Sequence, residues 1–149
     1  MARRDRLAQF RDLPMFAGCT PEELEEIDHL ADEVQVPEGR VILRQGDLGQ
    51  EFALIVDGEA EVVKDGEVVA VLGPGAYFGE VALLDSITRT ASVRAKTDMV
   101  LQVLDRRGFN TLLDDQPRLA RSMLKGLAHR LAELEEENER LRAQVASNA

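Results

Sequence analysis

A chain of 149 residues with 44% apolar content is long enough for one ordinary core plus a long terminal helix, and too short for a second full domain. Its formal net charge of -10 repels a phosphate backbone, and the basic start of Arg3, Arg4, Arg6 and Arg11 is too short to reverse that field, so no direct nucleic-acid binding is expected. Cys19 is the only cysteine, no run approaches the roughly 18 to 20 apolar residues of a membrane span, and the first ten residues lack the apolar run of a secretory signal; a cytoplasmic protein with no membrane contact of its own is expected.

Thr20-Pro21-Glu22-Glu23 reads as a helix start: Thr caps, Pro suits the first helical position, and Glu23 reaches back to the cap. The helix should run to about Ala31, with Leu24, Ile27 and Leu30 on one face. From Val34 to Leu104 short runs of Val, Ile and Leu alternate with glycines, the pattern of many short antiparallel strands. Asp57-Gly58 separates the run 52–56 from 60–63, and Asp65-Gly66 separates the latter from 68–72; both dipeptides suit tight hairpins. Residues 91–95 and 99–104 are the last strand candidates, and 106–113 reads as a short helix.

Gln116-Pro117 opens a long helix in which apolar residues follow a heptad. With Leu127, Leu134 and Leu141 at d, the a positions are Leu124, Leu131, Asn138 and Val145. A single Asn at a favours a parallel, in-register dimer. The flanking charges agree, since Arg130 at g faces Glu135 at e of a second copy, and Glu137 faces Arg142. Such exposed pairs set pairing more than strength. The competing reading is an amphipathic helix folded back on its own β-region, with Leu119 to Leu127 able to do both.

The segment from Tyr77 to Val93 carries the chemistry. It begins as a strand end, turns at Gly79 and continues into a possible single helical turn, where backbone N–H groups can approach an anion. Arg89 lies ten residues beyond Gly79, and its planar fork can hold two phosphate oxygens at once. Glu80 would repel a bare phosphate, but it suits a ligand that also donates a sugar hydroxyl. Phosphate and ribose hydroxyl together, in a pocket walled by Val and Ala, describe a nucleotide monophosphate.

Phe78-Gly79-Glu80, a few apolar residues, then Arg89-Thr90-Ala91-Ser92 resemble the phosphate-binding cassette of the cyclic-nucleotide-binding domain family. The resemblance extends over nearly the whole chain, from residues 13–16 through Gly46-Asp47 and the run 55–59 to a dimer helix of the catabolite-activator type. It implies an α+β fold, an antiparallel, jelly-roll-like β-roll with flanking helices over 1–115 and a dimerisation helix over 116–149. It implies that Gly79 and Ala82 offer backbone N–H groups beside Val81, that Glu80 accepts from the ribose 2′-hydroxyl, and that Arg89 pairs the cyclic phosphate. Thr90 would add a hydroxyl toward the phosphate or a purine amino group, and Val62, Ala70, Leu72 and Ala91 would wall the sugar and base.

Three departures qualify that match. Thr88 stands where the family often has Pro, which loosens the turn and removes no ligand contact. The polar pair that catabolite activators present to adenine falls on Leu134 and Glu135, so the base is covered by apolar atoms of Leu127, Leu131 or Leu134 or stays partly open. The helix is still running where the sequence stops, so family membership implies sensing without implying transcription control.

The expected ligand is therefore cyclic AMP, with cyclic GMP compatible, and the expected role is regulatory, without catalysis or a cofactor. His29 and His129 are far apart on separate predicted helices, which gives no basis for a cupin-like metal site. Two other readings stand beside this one: a decayed cassette in which Glu80 and Arg89 form a structural ion pair, leaving a constitutive dimeric adaptor for an unidentified protein partner, and the sensor part of a larger regulator.

Overall fold

The computed structural model describes residues 3–85 and 87–148. Helix α1 (Arg3–Arg11), a 3-10 turn (Pro14–Phe16) and α2 (Pro21–Leu30) precede the strands. The capping box forms as read: Glu23 N–H donates to Thr20 Oγ1 at 3.2 Å and Thr20 N–H donates to Glu23 Oε1 at 2.9 Å. Strands β1 (Asp32–Val36), β2 (Val41–Leu43), β3 (Leu48–Gly49), β4 (Glu51–Asp57), β5 (Ala60–Lys64) and β6 (Glu67–Leu72) follow. Then come β7 (Tyr77–Phe78), a second 3-10 turn (Glu80–Leu83), β8 (Ile87–Thr88), β9 (Ser92–Ala95) and β10 (Met99–Asp105). Helices α3 (Arg106–Asp115) and α4 (Pro117–Ser147) end the chain. Ser86, in the cassette, lies outside the described residues.

All pairings are antiparallel, in two four-stranded sheets of order β1-β10-β4-β7 and β2-β9-β5-β6 and a small β3-β8 ladder. This is the expected β-roll. Strand β4 is buried on both faces from Phe52 to Val56, which explains its unbroken apolar run. Phe52 and Leu54 enter a core between the first sheet and the helices, where Phe16 meets Phe10, Phe52 and Phe109 edge-on at 6.0 to 6.2 Å. Ala53 and Ile55 enter a second core with Ala60, Val93 and Leu101.

Only one of the two expected hairpins forms. Asp65 (φ 51°) and Gly66 (φ 84°) join β5 to β6 with Lys64 opposite Glu67, as a two-residue turn requires. Asp57-Gly58 instead carries the chain from one sheet to the other. The reason is that β4, apolar on both faces, takes central place beside β10, while half-buried β5 pairs with β6 and β9.

Helix α4 has two apolar faces. Leu119, Met123 and Gly126, at heptad positions c and g, are buried against the body of the domain. The a and d residues Leu124 (68%), Leu131 (59%), Leu134 (43%), Leu141 (53%) and Val145 (70%) are exposed, and Leu127 is half-buried. The helix therefore does not fold its heptad stripe back onto its own β-roll. It passes so close to the turn before α2 that a Cβ on Gly126 would stand 2.6 Å from Gly18 N. Among the described residues, no helix is long and apolar enough to cross a membrane, and no cluster of three or more His, Cys, Asp or Glu could hold a metal.

Candidate functional site

β7 ends at Phe78, and Gly79 turns the backbone with φ 83° into the 3-10 turn. A side chain there is strained by that φ alone, and its Cβ would stand 2.5 Å from the Glu51 carbonyl oxygen. Across from the turn, the loop between β2 and β3 grips the backbone of Arg89. Arg89 N–H donates to Asp47 O at 2.8 Å, and Gly46 N–H donates to Arg89 O at 2.9 Å.

The guanidinium fills a slot made by two glycines. Its Nη2 donates to the Glu51 carbonyl at 2.7 Å, a Cβ on Gly49 would collide with it, and a Cβ on Gly79 would stand 2.7 Å from Nη1. Arg89 is 9% exposed, and among the described residues it makes no ion pair. Burial lowers its pKa from the ordinary value, with the carboxylates of Glu51 and Glu80 opposing the shift. It remains a cation regardless. No structural Glu80–Arg89 ion pair is present, contrary to what the decayed-cassette reading requires.

Beside the arginine opens a cavity of about 230 Å³. Val62, Gly79, Glu80, Val81, Ala82, Arg89, Thr90 and Ala91 all line it, so eight of the ten residues singled out in the sequence come together. Ala70 and Leu72 do not. Ala70 sits opposite Val62 on edge strand β6 but is exposed, and Leu72 turns with Ala60 into the second core. A register shift between Val62 and Val63 makes that wall hard to place from sequence.

A second expectation also needs correcting. The Ala82 N–H donates to Gly79 O at 3.0 Å, closing the turn, so it is not offered to a ligand here. The groups left without a partner inside a 3-10 turn are those at its start, at Gly79, Glu80 and Val81. Leu43, Phe78, Ile87, Thr88 and Val93 complete the lining, and they were not read as site residues. Leu43 and Val93 face each other across the β2–β9 pairing, a long-range match that leaves no local signal.

No residue of α4 lines the cavity. Leu127, Leu131 and Leu134 therefore do not cover it within one chain. The helix is nonetheless close to the cassette: burial raises the Tyr77 hydroxyl pKa, Glu80 adds to the rise, and Arg130 of α4 opposes it. Arg130 also pairs with Glu133 of its own helix at 3.4 Å.

Comparison with known proteins gives the same picture. The profile of the cyclic nucleotide-binding domain matches residues 33–116. The cAMP-dependent protein kinase regulatory subunit of Schizosaccharomyces pombe is 40% identical over 112 residues, which cover 74% of this chain and 27% of that protein. The Cyclic AMP receptor protein of Thermus thermophilus is 34% identical over 140 residues, covering 91% of this chain and 65% of the relative. The chain thus spans about a quarter of the first relative's length and about two thirds of the second's. Among solved structures, the N-terminal domain of a transcriptional regulator from Streptomyces coelicolor superposes with TM-score 0.77 at 28% identity, covering 87% of this chain and 94% of that one. With the cassette, the roll and the profile in agreement, the chain belongs to the cyclic nucleotide-binding domain family.

Proposed function

We propose that the chain is a sensor that binds a cyclic nucleotide, cyclic AMP first, in the cavity between the Gly79–Ala82 turn and Arg89–Ala91. The observation that carries this is the state of Arg89: a buried cation in a two-glycine slot, facing an open cavity, with a carbonyl and no carboxylate as its partner. Burying an unpaired charge is costly, and an incoming phosphate removes that cost by supplying the counter-ion. Glu80, half-buried at the same cavity, is the acceptor for a sugar hydroxyl. Relatives whose names carry cyclic AMP support that nucleotide. Cyclic GMP is the alternative, because Thr90 at the mouth suits either base.

The output in this reading is the geometry of α4. Its exposed a and d stripe pairs with a second copy as a parallel coiled coil, with Asn138 opposite Asn138, and its opposite face stays packed on the domain through Leu119 and Met123. Ligand that draws the cassette inward would shift α3 and α4, and a tenfold preference for one state is worth about 1.4 kcal/mol. The role is regulatory, in the soluble interior of the cell, and the domain division at 115/116 separates ligand capture from dimer output.

Calorimetric titration of nucleotide-free protein with cyclic AMP and cyclic GMP tests the reading. Saturable heat from one of them supports it. Absence of heat and of any thermal shift with both would move the assignment to a ligand-independent dimeric adaptor.

A further inference from the structure

The loop that grips Arg89 is itself held, from a direction the cassette motif does not include. Gln45, one residue before Gly46, reaches across to the tip of the β5–β6 hairpin. Its Nε2 donates to Asp65 Oδ1 at 2.9 Å, and Asp65 N–H donates to its Oε1 at 3.1 Å. Its own N–H donates to Ser92 Oγ at 2.9 Å, three residues beyond Arg89. The orientation of the amide is fixed by its partners, since only the oxygen can accept from Asp65 N–H and only the nitrogen can donate to a carboxylate. No charged side chain of that shape offers both at once.

We infer that Gln45 is a positioning residue for Arg89, joining the hairpin that carries the apolar wall at Val62 to the loop that clamps the arginine's backbone. The connection is short and continuous: Asp65 to Gln45, then Gly46 and Asp47, which hold the Arg89 carbonyl and N–H. The β5–β9 pairing already sets Val62 opposite Val93 and Val63 opposite Ser92, and the Gln45 link adds a second tie, from the hairpin tip to the backbone of Arg89 itself. Both members of the pair are exposed, so the link contributes to placement more than to core stability.

The test uses Gln45→Glu, Asp65→Asn and the two together. Gln45→Glu removes the donor and sets two carboxylates face to face. Asp65→Asn alone keeps an acceptor for Nε2 and is the silent control. The double variant restores the side-chain hydrogen bond with donor and acceptor exchanged, while the backbone N–H of residue 65 goes on donating to the side chain at position 45 throughout.

Two readouts are needed, because the second rests on the nucleotide-binding reading and the first does not. In ligand-free protein, hydrogen exchange at the Arg89 amide is expected to speed up about tenfold in Gln45→Glu and to return to the original rate in the double variant. Cyclic AMP affinity is expected to fall about fivefold in Gln45→Glu and to recover in the double variant. Unchanged exchange at Arg89 in Gln45→Glu, or a double variant no better than the single one in either readout, overturns the inference. If the unaltered protein binds neither cyclic nucleotide, the function proposed above fails, and the exchange arm still decides the role of Gln45.

Discussion

Three glycines of the β-roll form a graded series that separates backbone strain from collision. Gly73 lies outside the left-handed region and has open space where a Cβ would go, Gly66 has φ 84° with nothing within 4 Å, and Gly79 has φ 83° with the Glu51 carbonyl and Arg89 Nη1 at 2.5 and 2.7 Å from a Cβ. Gly73→Ala should be neutral or stabilising by up to about 1 kcal/mol, through the unfolded chain. Gly66→Ala should cost about 1 to 2 kcal/mol, the penalty of a left-handed residue with a side chain. Gly79→Ala carries the same penalty plus overpacking of about 1 to 3 kcal/mol, for a total of about 2 to 5 kcal/mol. At about 2 to 4 °C per kcal/mol, circular-dichroism melting should place Gly66→Ala a few degrees below the unaltered protein and Gly79→Ala further below by about 2 to 12 °C. A Gly79→Ala protein that melts with Gly66→Ala would refute the two-glycine slot for Arg89.

Other consequences can be checked independently. If α4 pairs as proposed, Leu134→Glu should convert that dimer into a monomer in sedimentation, weakening association by at least about 100-fold, because burying each Leu is worth roughly 1.5 to 3 kcal/mol and two copies are lost; the melting of the roll should not change. Gly126→Ala, which in an open helix would gain up to about 1 kcal/mol, should instead destabilise, since its Cβ would meet Gly18 N at 2.6 Å. The Cys19 thiol is pushed up to about 12 by burial, with Glu23 adding to the shift. Its folded value exceeds its unfolded one, so the stability it contributes is complete below about pH 9 and declines as pH rises toward 12. Native protein at pH 8 should resist alkylation at Cys19, and denatured protein should not.

Local chemistry was legible in the sequence wherever it depended on neighbours along the chain. The Thr20–Glu23 capping box, the Asp65-Gly66 turn and the Gly79 turn all form where their residue types require them. The long helix itself was legible from Pro117 onward, and the structure adds that Leu119 and Met123 form a buried apolar face, which the heptad alone does not display. Pairing between sheets did not read. Asp57-Gly58 has hairpin chemistry, yet its two strands part because β4 is needed between β10 and β7. N-terminal helices were expected, but the bounds of α1 did not read because its residues are largely polar and basic, while its anchor Phe10 works with Phe16 from the next turn. At the site, the motif led to Arg89 and Glu80, but the partners that shape the arginine's slot, Gly49 and the Glu51 carbonyl, lie about 40 residues away on β3 and β4. Backbone carbonyls carry no residue identity, so no sequence pattern announces them.

The central claim is that Arg89 is held buried for a cyclic phosphate. Calorimetric titration of the unaltered protein and of Arg89→Ala with the same cyclic nucleotide tests it most directly. The account predicts one saturable site per chain in the first and at least about 100-fold weaker binding in the second, from the loss of charge-assisted hydrogen bonds to the phosphate. Equal affinity in the two proteins would contradict it.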